Sequence, residues 1–413
     1  MRSSVSRNTI TLLTSNVGSA ALSFILSVLI GRVLKQDGLG VYTAALAWVF
    51  PLSLIAEFGL GSLMTRDIAQ TPDSADAYLR STTLARLWIG GALTLALVIF
   101  APLLSDDLAV IAGLRISAPL IVILPFFGAF TAIFRARQAM WPIPPLNVGM
   151  LVIQVALTAV VFLAGGGALA ALIVNTATSA GQLVAAWAVW RWKFRLSIGT
   201  RRALSLRITL LLRRAWPFAL AAVLAALQTR AGTILLEKLT DTAQVGYYAA
   251  GTRFVEAARM IPNALFGALF PALAALAAQP DAFRRTFHKV TLGLGGFGIA
   301  LGLICTIFAA PIMSLTYGAA FVPAIPVLQI VMWSLLPGLL RAGRTLYWYA
   351  LGREQYTNIV TGVTLIVQIA VSLWLIPRAG AAGAAIVSLI TETLALILLW
   401  LPAMRAAQKS ENG

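Results

Sequence analysis

The chain of 413 residues is short of charge: Asp, Glu, Lys and Arg together supply only 11% of it. Soluble domains carry about 25% charged residues, so a water-exposed globule of this length is excluded. Cysteine and histidine each occur once. Cys305 lies in an apolar run, has no cysteine to pair with, and reads as a small core residue. His288, beside Lys289, has no neighbouring ligands with which to hold a metal. The sequence has no zinc spacing, no phosphate-binding glycine loop and no Ser/His/Asp pattern. No catalytic residue, metal site or resident cofactor is therefore expected. Short segments of alternating polarity, the signature of a closed membrane barrel, are absent as well.

What the chain has in abundance is apolar length. Hydrophobic residues make up 60% of it, in runs of about 20 residues, the length with which a helix crosses a bilayer. Twelve such spans can be read, near 9–34, 41–64, 84–104, 112–134, 146–164, 168–190, 216–236, 244–272, 290–310, 322–346, 356–376 and 380–403. The expectation is an all-α polytopic membrane protein. The first run follows a basic start and contains an asparagine, Asn16. It is longer than the apolar part of a cleaved signal peptide, about 7–15 residues, and reads as a first membrane helix.

The net charge of +17 has a topological cause. With the N-terminus inside, 21 of the 31 Lys and Arg fall in cytoplasmic segments and their borders, and four fall outside. Acidic residues split nearly evenly, six inside and five outside. A Lys/Arg excess without a matching acidic bias is the positive-inside pattern and puts both termini in the cytoplasm. The densest basic group, 191–215, is pinned to the membrane at both ends. It reads as a topology anchor along anionic headgroups, not as a nucleic-acid site. It also divides the chain into an N-terminal six-helix bundle (1–190), the linker (191–215) and a C-terminal six-helix bundle (216–413).

The halves carry a weak repeat. A shift of 206 residues sets Gly40, Tyr42, Ala44 and Val49 over Gly246, Tyr248, Ala250 and Val255, and a shift of 214 sets Gln154 over Gln368. Two six-span halves in the same orientation make parallel repeats around a central cavity, an arrangement of transporters with the substrate site near the bilayer midplane.

Ordered motifs along the chain carry a resemblance. They are "GRVLKQDGLGVYTAALAWVFPLSLIAEFGLGSLMTRDIA" (31–69), "VGYYAAGTRFVEAARMIPNALFGALFPALA" (245–274), "YGAAFVPAIPVLQIV" (317–331) and "AGAAGAAIVSLITE" (379–392). Together they resemble the bacterial polysaccharide-biosynthesis, or oligosaccharide, flippases. That family shares a superfamily with the lipid II flippase and the multidrug/toxin exporters. The resemblance implies translocation of a polyprenyl-pyrophosphate-linked oligosaccharide across the bacterial cytoplasmic membrane, with membrane lipids and polysaccharide assembly proteins as partners. Where such flippases often carry an acidic residue after the arginine of the seventh span, this chain has Gly232. Two other readings stand beside it: a multidrug/toxin-type cation antiporter, and a non-transporting scaffold of a glycan synthase.

The charges inside the spans decide among these. Arg253, Glu256 and Arg259 follow one another at three-residue steps, so they share one side of a helix. Their counterparts in the first half are uncharged Ala47, Phe50 and Ser53. At about 1.5 Å per residue, Arg230 and Arg253 come to a similar depth. The resemblance makes Arg230, Arg253 and Arg259 candidates for the pyrophosphate, with Glu256 positioning them; an interhelical ion-pair network is the structural alternative. Glu57 and Glu392 are lone carboxyls in their spans and are candidates to couple transport to H+ or Na+, or to satisfy a nearby backbone or hydroxyl group. Arg341 and Arg344 are expected to snorkel to headgroups, and Arg66 to pair with Asp67. Pro51, Pro125, Pro262 and Pro337 are expected to kink their spans.

Overall fold

The computed structural model describes residues 2–71, 74–194, 208–260, 280–350 and 353–411. Among these residues the secondary structure is helical, with no strand. This is the solution hydrocarbon imposes, because a helix satisfies its own backbone polar groups where no water can. The helices are α1 (Arg2–Glu57), α2 (Leu60–Gln70), α3 (Ala75–Leu104), α4 (Leu108–Ser117), α5 (Leu120–Ala136) and α6 (Met150–Leu163). They continue as α7 (Ala168–Val189), α8 (Ile208–Leu239), α9 (Thr242–Ala258), α10 (Pro280–Thr316), α11 (Ile325–Ala350) and α12 (Glu354–Glu411).

Nine stretches of the described residues are long and apolar enough to span a membrane. Two of them are too long for one crossing. The 60 residues of Thr11–Gln70 would run about 90 Å as one helix against a hydrocarbon core of about 30 Å. That stretch is two helices joined across a kink at Lys35, whose φ is 57°, and Gln355–Leu401 is likewise two joined at Gly380, φ 52°. Divided there, nine stretches become eleven passes. The eighth span of the sequence reading is α9, and its continuation past Met260 lies outside the described residues, as does Pro262. Pro51, Pro125 and Pro337 sit inside α1, α5 and α11.

The chain packs as two compact units, and membership does not follow the linear halves. The first comprises residues 1–29 and 41–230, the second 30–40 and 231–413. The core of the first unit joins α2, α3, α5 and the start of α8 through Leu60, Met64, Ile68, Tyr78, Ile133 and Leu211. Asp67 fastens the same region. It accepts hydrogen bonds from Arg66 (2.9 Å), Arg214 (3.0 Å) and the Tyr78 hydroxyl (2.5 Å). The expected Arg66–Asp67 pair is present, and Arg214 of the basic segment joins it.

In the second unit, segment 30–40 is held by its own polar and close contacts. The Arg32 guanidinium donates to the carbonyls of Leu315 and Thr316, closing the end of α10 as cationic side chains do at helix C-termini. Two glycines then allow backbones to touch. A Cβ at Gly40 would lie 1.8 Å from the Thr242 carbonyl oxygen, and one at Gly246 would lie 2.0 Å from that of Gln36. Thr242 is four residues before Gly246, and Gln36 four before Gly40. The glycines that the 206-residue shift superposes thus meet each other's segments in the same way.

Candidate functional site

Three helices of the second unit bring charges together. On α9, Arg253 and Glu256 stand one turn apart, as their spacing predicts, and Arg253 Nη1 donates to Glu256 Oε2 at 2.6 Å. Arg259, just past the end of α9, turns instead to α12, where its Nη2 lies 3.0 Å from Glu392 Oε1. Arg341 of α11 grips the same carboxylate with Nε at 2.5 Å from Oε2 and Nη2 at 3.3 Å from Oε1. The room for this convergence comes from Gly338, after Pro337 in α11. A Cβ there would lie 2.9 Å from Arg259 Nη2 and 3.4 Å from Glu392 Cδ. Among the described ion pairs of these three helices, three guanidiniums stand against two carboxylates, as one pair within α9 and one cluster shared with α11 and α12. The group is not sealed: the Glu392 side chain is 17% exposed and that of Glu256 43%.

The first unit uses charge differently. Its chain breaks after Glu57, where Phe58 and Gly59 take positive φ values of 51° and 67°. Gly59 is needed here because α8 passes close, with the Ala219 nitrogen 2.6 Å from where a Cβ would lie. Glu57 Oε1 accepts from the Gly61 N–H at the start of α2, a carboxylate at a helix N-terminus where the dipole favours it. Arg86 of α3 lies 3.7 Å from the same oxygen. Arg86 is 1% exposed; Nη1 donates to Thr82 Oγ1 at 2.8 Å, and both terminal nitrogens lie 3.6 Å from Met64 Sδ. Arg230, also of this unit, rests 5.2 Å over the Phe50 ring.

Several expectations change in the structure. Glu57 and Glu392 are not lone carboxyls, since each has an arginine partner. Arg259 pairs with Glu392 and not with Glu256. Neither Arg341 nor Arg344 snorkels. Arg341 is committed to Glu392, and Arg344, 4% exposed, is enclosed by Tyr347, Trp400, Trp348 and Phe287 at 4.1, 4.8, 5.5 and 5.8 Å from its guanidinium carbon. Desolvated cation–π contacts of about 2 kcal/mol hold a charge inside as effectively as headgroups hold one outside. Arg86 is the residue the sequence reading passed over, having counted it with the cytoplasmic border of α3. Its signal was Thr82, four residues earlier and on the same helix face. Arg230 and Arg253 belong to different units.

Comparison with known proteins places the chain in a family. The family model described as polysaccharide biosynthesis protein matches residues 5–277, and the chain belongs to that family. No curated protein matches the sequence. Among solved structures, a multidrug resistance MATE family transporter of the MOP superfamily, in an inward-facing conformation, aligns with a TM-score of 0.78 at 14% identity, covering 97% of this chain and 99% of that one. The lipid II flippase MurJ, in an inward closed conformation, aligns at 0.76 and 15% identity over 94% of this chain and 86% of its own. A MOP superfamily transporter from Pyrococcus furiosus, described as having a binding pocket of reversed polarity, aligns at 0.68 and 13% identity over 98% and 95%. At these identities the likeness is one of fold: the chain is a multi-pass α-helical membrane protein with the fold of MOP superfamily transporters.

Proposed function

We propose that this member of the polysaccharide biosynthesis protein family is a flippase. It moves a polyprenyl-pyrophosphate-linked oligosaccharide from the inner to the outer leaflet of the bacterial cytoplasmic membrane by alternating access, with both termini in the cytoplasm. The carrying observation is the three-arginine, two-carboxylate group on α9, α11 and α12. One central arginine costs about 2.5–3.5 kcal/mol to insert, so three beside two acids are a standing demand for an anion. The pyrophosphate diester is a dianion, and guanidinium forks match phosphate oxygens.

Arg253, Arg259 and Arg341 of the second unit take the pyrophosphate in this reading. Glu392 is the internal anion that occupies Arg259 and Arg341 between turnovers. Protonation of Glu392 would free both guanidiniums together, which makes it the better candidate for ion coupling. Glu57, with one oxygen on a helix N-terminus and Arg86 beside it, fits a structural role better. The antiporter reading needs acidic groups open to a cation. Glu57, Glu256 and Glu392 each have an arginine within 4 Å, which favours the anionic substrate.

The test is complementation of a deletion strain, with membrane abundance and exported glycan measured together. Arg253→Ala is expected at normal abundance with export reduced about tenfold or more, the worth of a charged hydrogen bond. Arg253→Lys should recover part of the loss, because a point charge replaces a two-pronged donor. Full export by Arg253→Ala at normal abundance would remove the pyrophosphate role of this residue.

A further inference from the structure

The first unit holds a cavity of about 680 Å³ on which transport makes no demand. Its floor is α5, which packs against both α3 and α7 and presents Phe126 and Phe130. Its walls are the first turns of α3 and the last turns of α7, with exposed rims at Leu84 and Val184. The lining is hydrocarbon and aromatic except for Arg80 and Thr83. The Thr83 hydroxyl is already spent on the Leu79 carbonyl, at 2.7 Å. Arg80 is therefore the single charge on the wall, an exposed one, and among the described residues no carboxylate lies in ion-pair reach of it. Asp76, one turn earlier, does not line the cavity. Beside the mouth, the Arg191 guanidinium stands 5.6 Å over the Trp187 ring.

These features lie at the Lys/Arg-rich end of their helices, where tryptophan and arginine mark a headgroup level. From Leu183 to Trp190 the wall runs about 10 Å along α7, against about 15 Å for half of a hydrocarbon core. That length takes the upper part of one acyl chain.

We propose that this cavity binds one anionic glycerophospholipid of the cytoplasmic leaflet, its chain on Phe126 and Phe130 and its phosphate at Arg80. Among the described residues no carboxylate lines the cavity to meet the ammonium of a zwitterionic headgroup. A pyrophosphate-bearing isoprenoid brings a dianion and a chain many times longer than the groove. The bound lipid wedges α3 apart from α7 and is separate from the charge group of the second unit.

Native mass spectrometry of the detergent-purified protein tests this, with phosphatidylglycerol, phosphatidylcholine or a polyprenyl phosphate added in turn. The intact protein should keep one phosphatidylglycerol at activation energies that strip phosphatidylcholine. Arg80→Gln should weaken that retention roughly fivefold, the worth of one basic residue at an anionic surface. Val184→Trp, which fills the cavity from its exposed rim, should abolish it. Both positions face outward, so unchanged thermal midpoints are expected, and either variant alone suffices for the test. Equal retention by all three proteins would overturn the site. Equal retention of phosphatidylcholine would overturn its charge selection, and one-for-one displacement by polyprenyl phosphate would reassign the groove to the carrier lipid.

Discussion

In the first unit, an intramembrane arginine is almost fully buried and meets one glutamate, one threonine hydroxyl and one methionine sulfur. In the second, Arg253, Arg259 and Arg341 are partly open and outnumber their two glutamates. The same costly residue type is thus used in two ways, and exposure and stoichiometry tell them apart. An arginine buried this far, and paired one-to-one, offers no open donor to a ligand, so its contribution is to hold α3 against the break that follows Glu57. An open group with surplus charge is poorly satisfied by the protein alone and is suited to a partner that arrives and leaves. Arg344 supports the distinction from within the second unit. Four rings and the Leu399 carbonyl enclose it, and it belongs with Arg86 among the structural cations.

The largest effect is expected where that comparison is most exposed to failure. Arg86→Leu strands Glu57 beside α2, and breaking a buried pair costs about 3–5 kcal/mol. The protein should then be scarce in the membrane, with whatever remains still exporting glycan. Adding Glu57→Gln removes the stranded charge but keeps an oxygen for the Gly61 N–H, so abundance should partly return. Normal abundance of Arg86→Leu with export lost would erase the contrast between the units and move Arg86 into the transport site.

A smaller effect is expected at the paired glycines. Gly40→Ala and Gly246→Ala each push a methyl group into a carbonyl oxygen, and overpacking of this kind costs about 1–3 kcal/mol. Thermal midpoints should fall by similar amounts in the two single variants. The double variant should fall by less than their sum, because segments parted by the first methyl already accommodate the second. Strict additivity, or an effect at one glycine alone, would mean that the crossing is not one symmetric contact.

Much of this was legible in the sequence for physical reasons. Hydrocarbon forces helices of a fixed length, so spans follow from apolar runs, and the i,i+3 pairing of Arg253 with Glu256 follows from helical spacing. The 206-residue shift found both glycines of the crossing without showing that they touch. The Arg259–Glu392–Arg341 group was beyond reach, since its partners lie 133 and 51 residues apart and no local rule joins them. Arg86 was misjudged because border position in sequence says little about burial once Met64 of α2 packs against it. The kinks at Lys35 and Gly380 lie between spans that the sequence does separate, yet the backbone is helical on both sides of each.

The smallest effect is expected at Glu256, and it sharpens the comparison within the open group itself. Its pair with Arg253 is an i,i+3 contact on one helix, 43% exposed on the acidic side, and such pairs stabilise by about 0.2–0.5 kcal/mol. Glu256→Gln should therefore leave abundance unchanged and export within about a factor of two. It weakens one contact of Arg253 without removing the guanidinium, so binding of the pyrophosphate keeps its donor. The structural alternative makes a different forecast for the pair. If Arg253 served only to neutralise Glu256, Arg253→Ala would lower abundance, and adding Glu256→Ala would restore both abundance and export. If Arg253 meets the substrate, the double variant stays in the membrane and exports no better than Arg253→Ala alone. Abundance and exported glycan measured across these variants decide between the two, and recovered export in the double variant would end the binding role of Arg253.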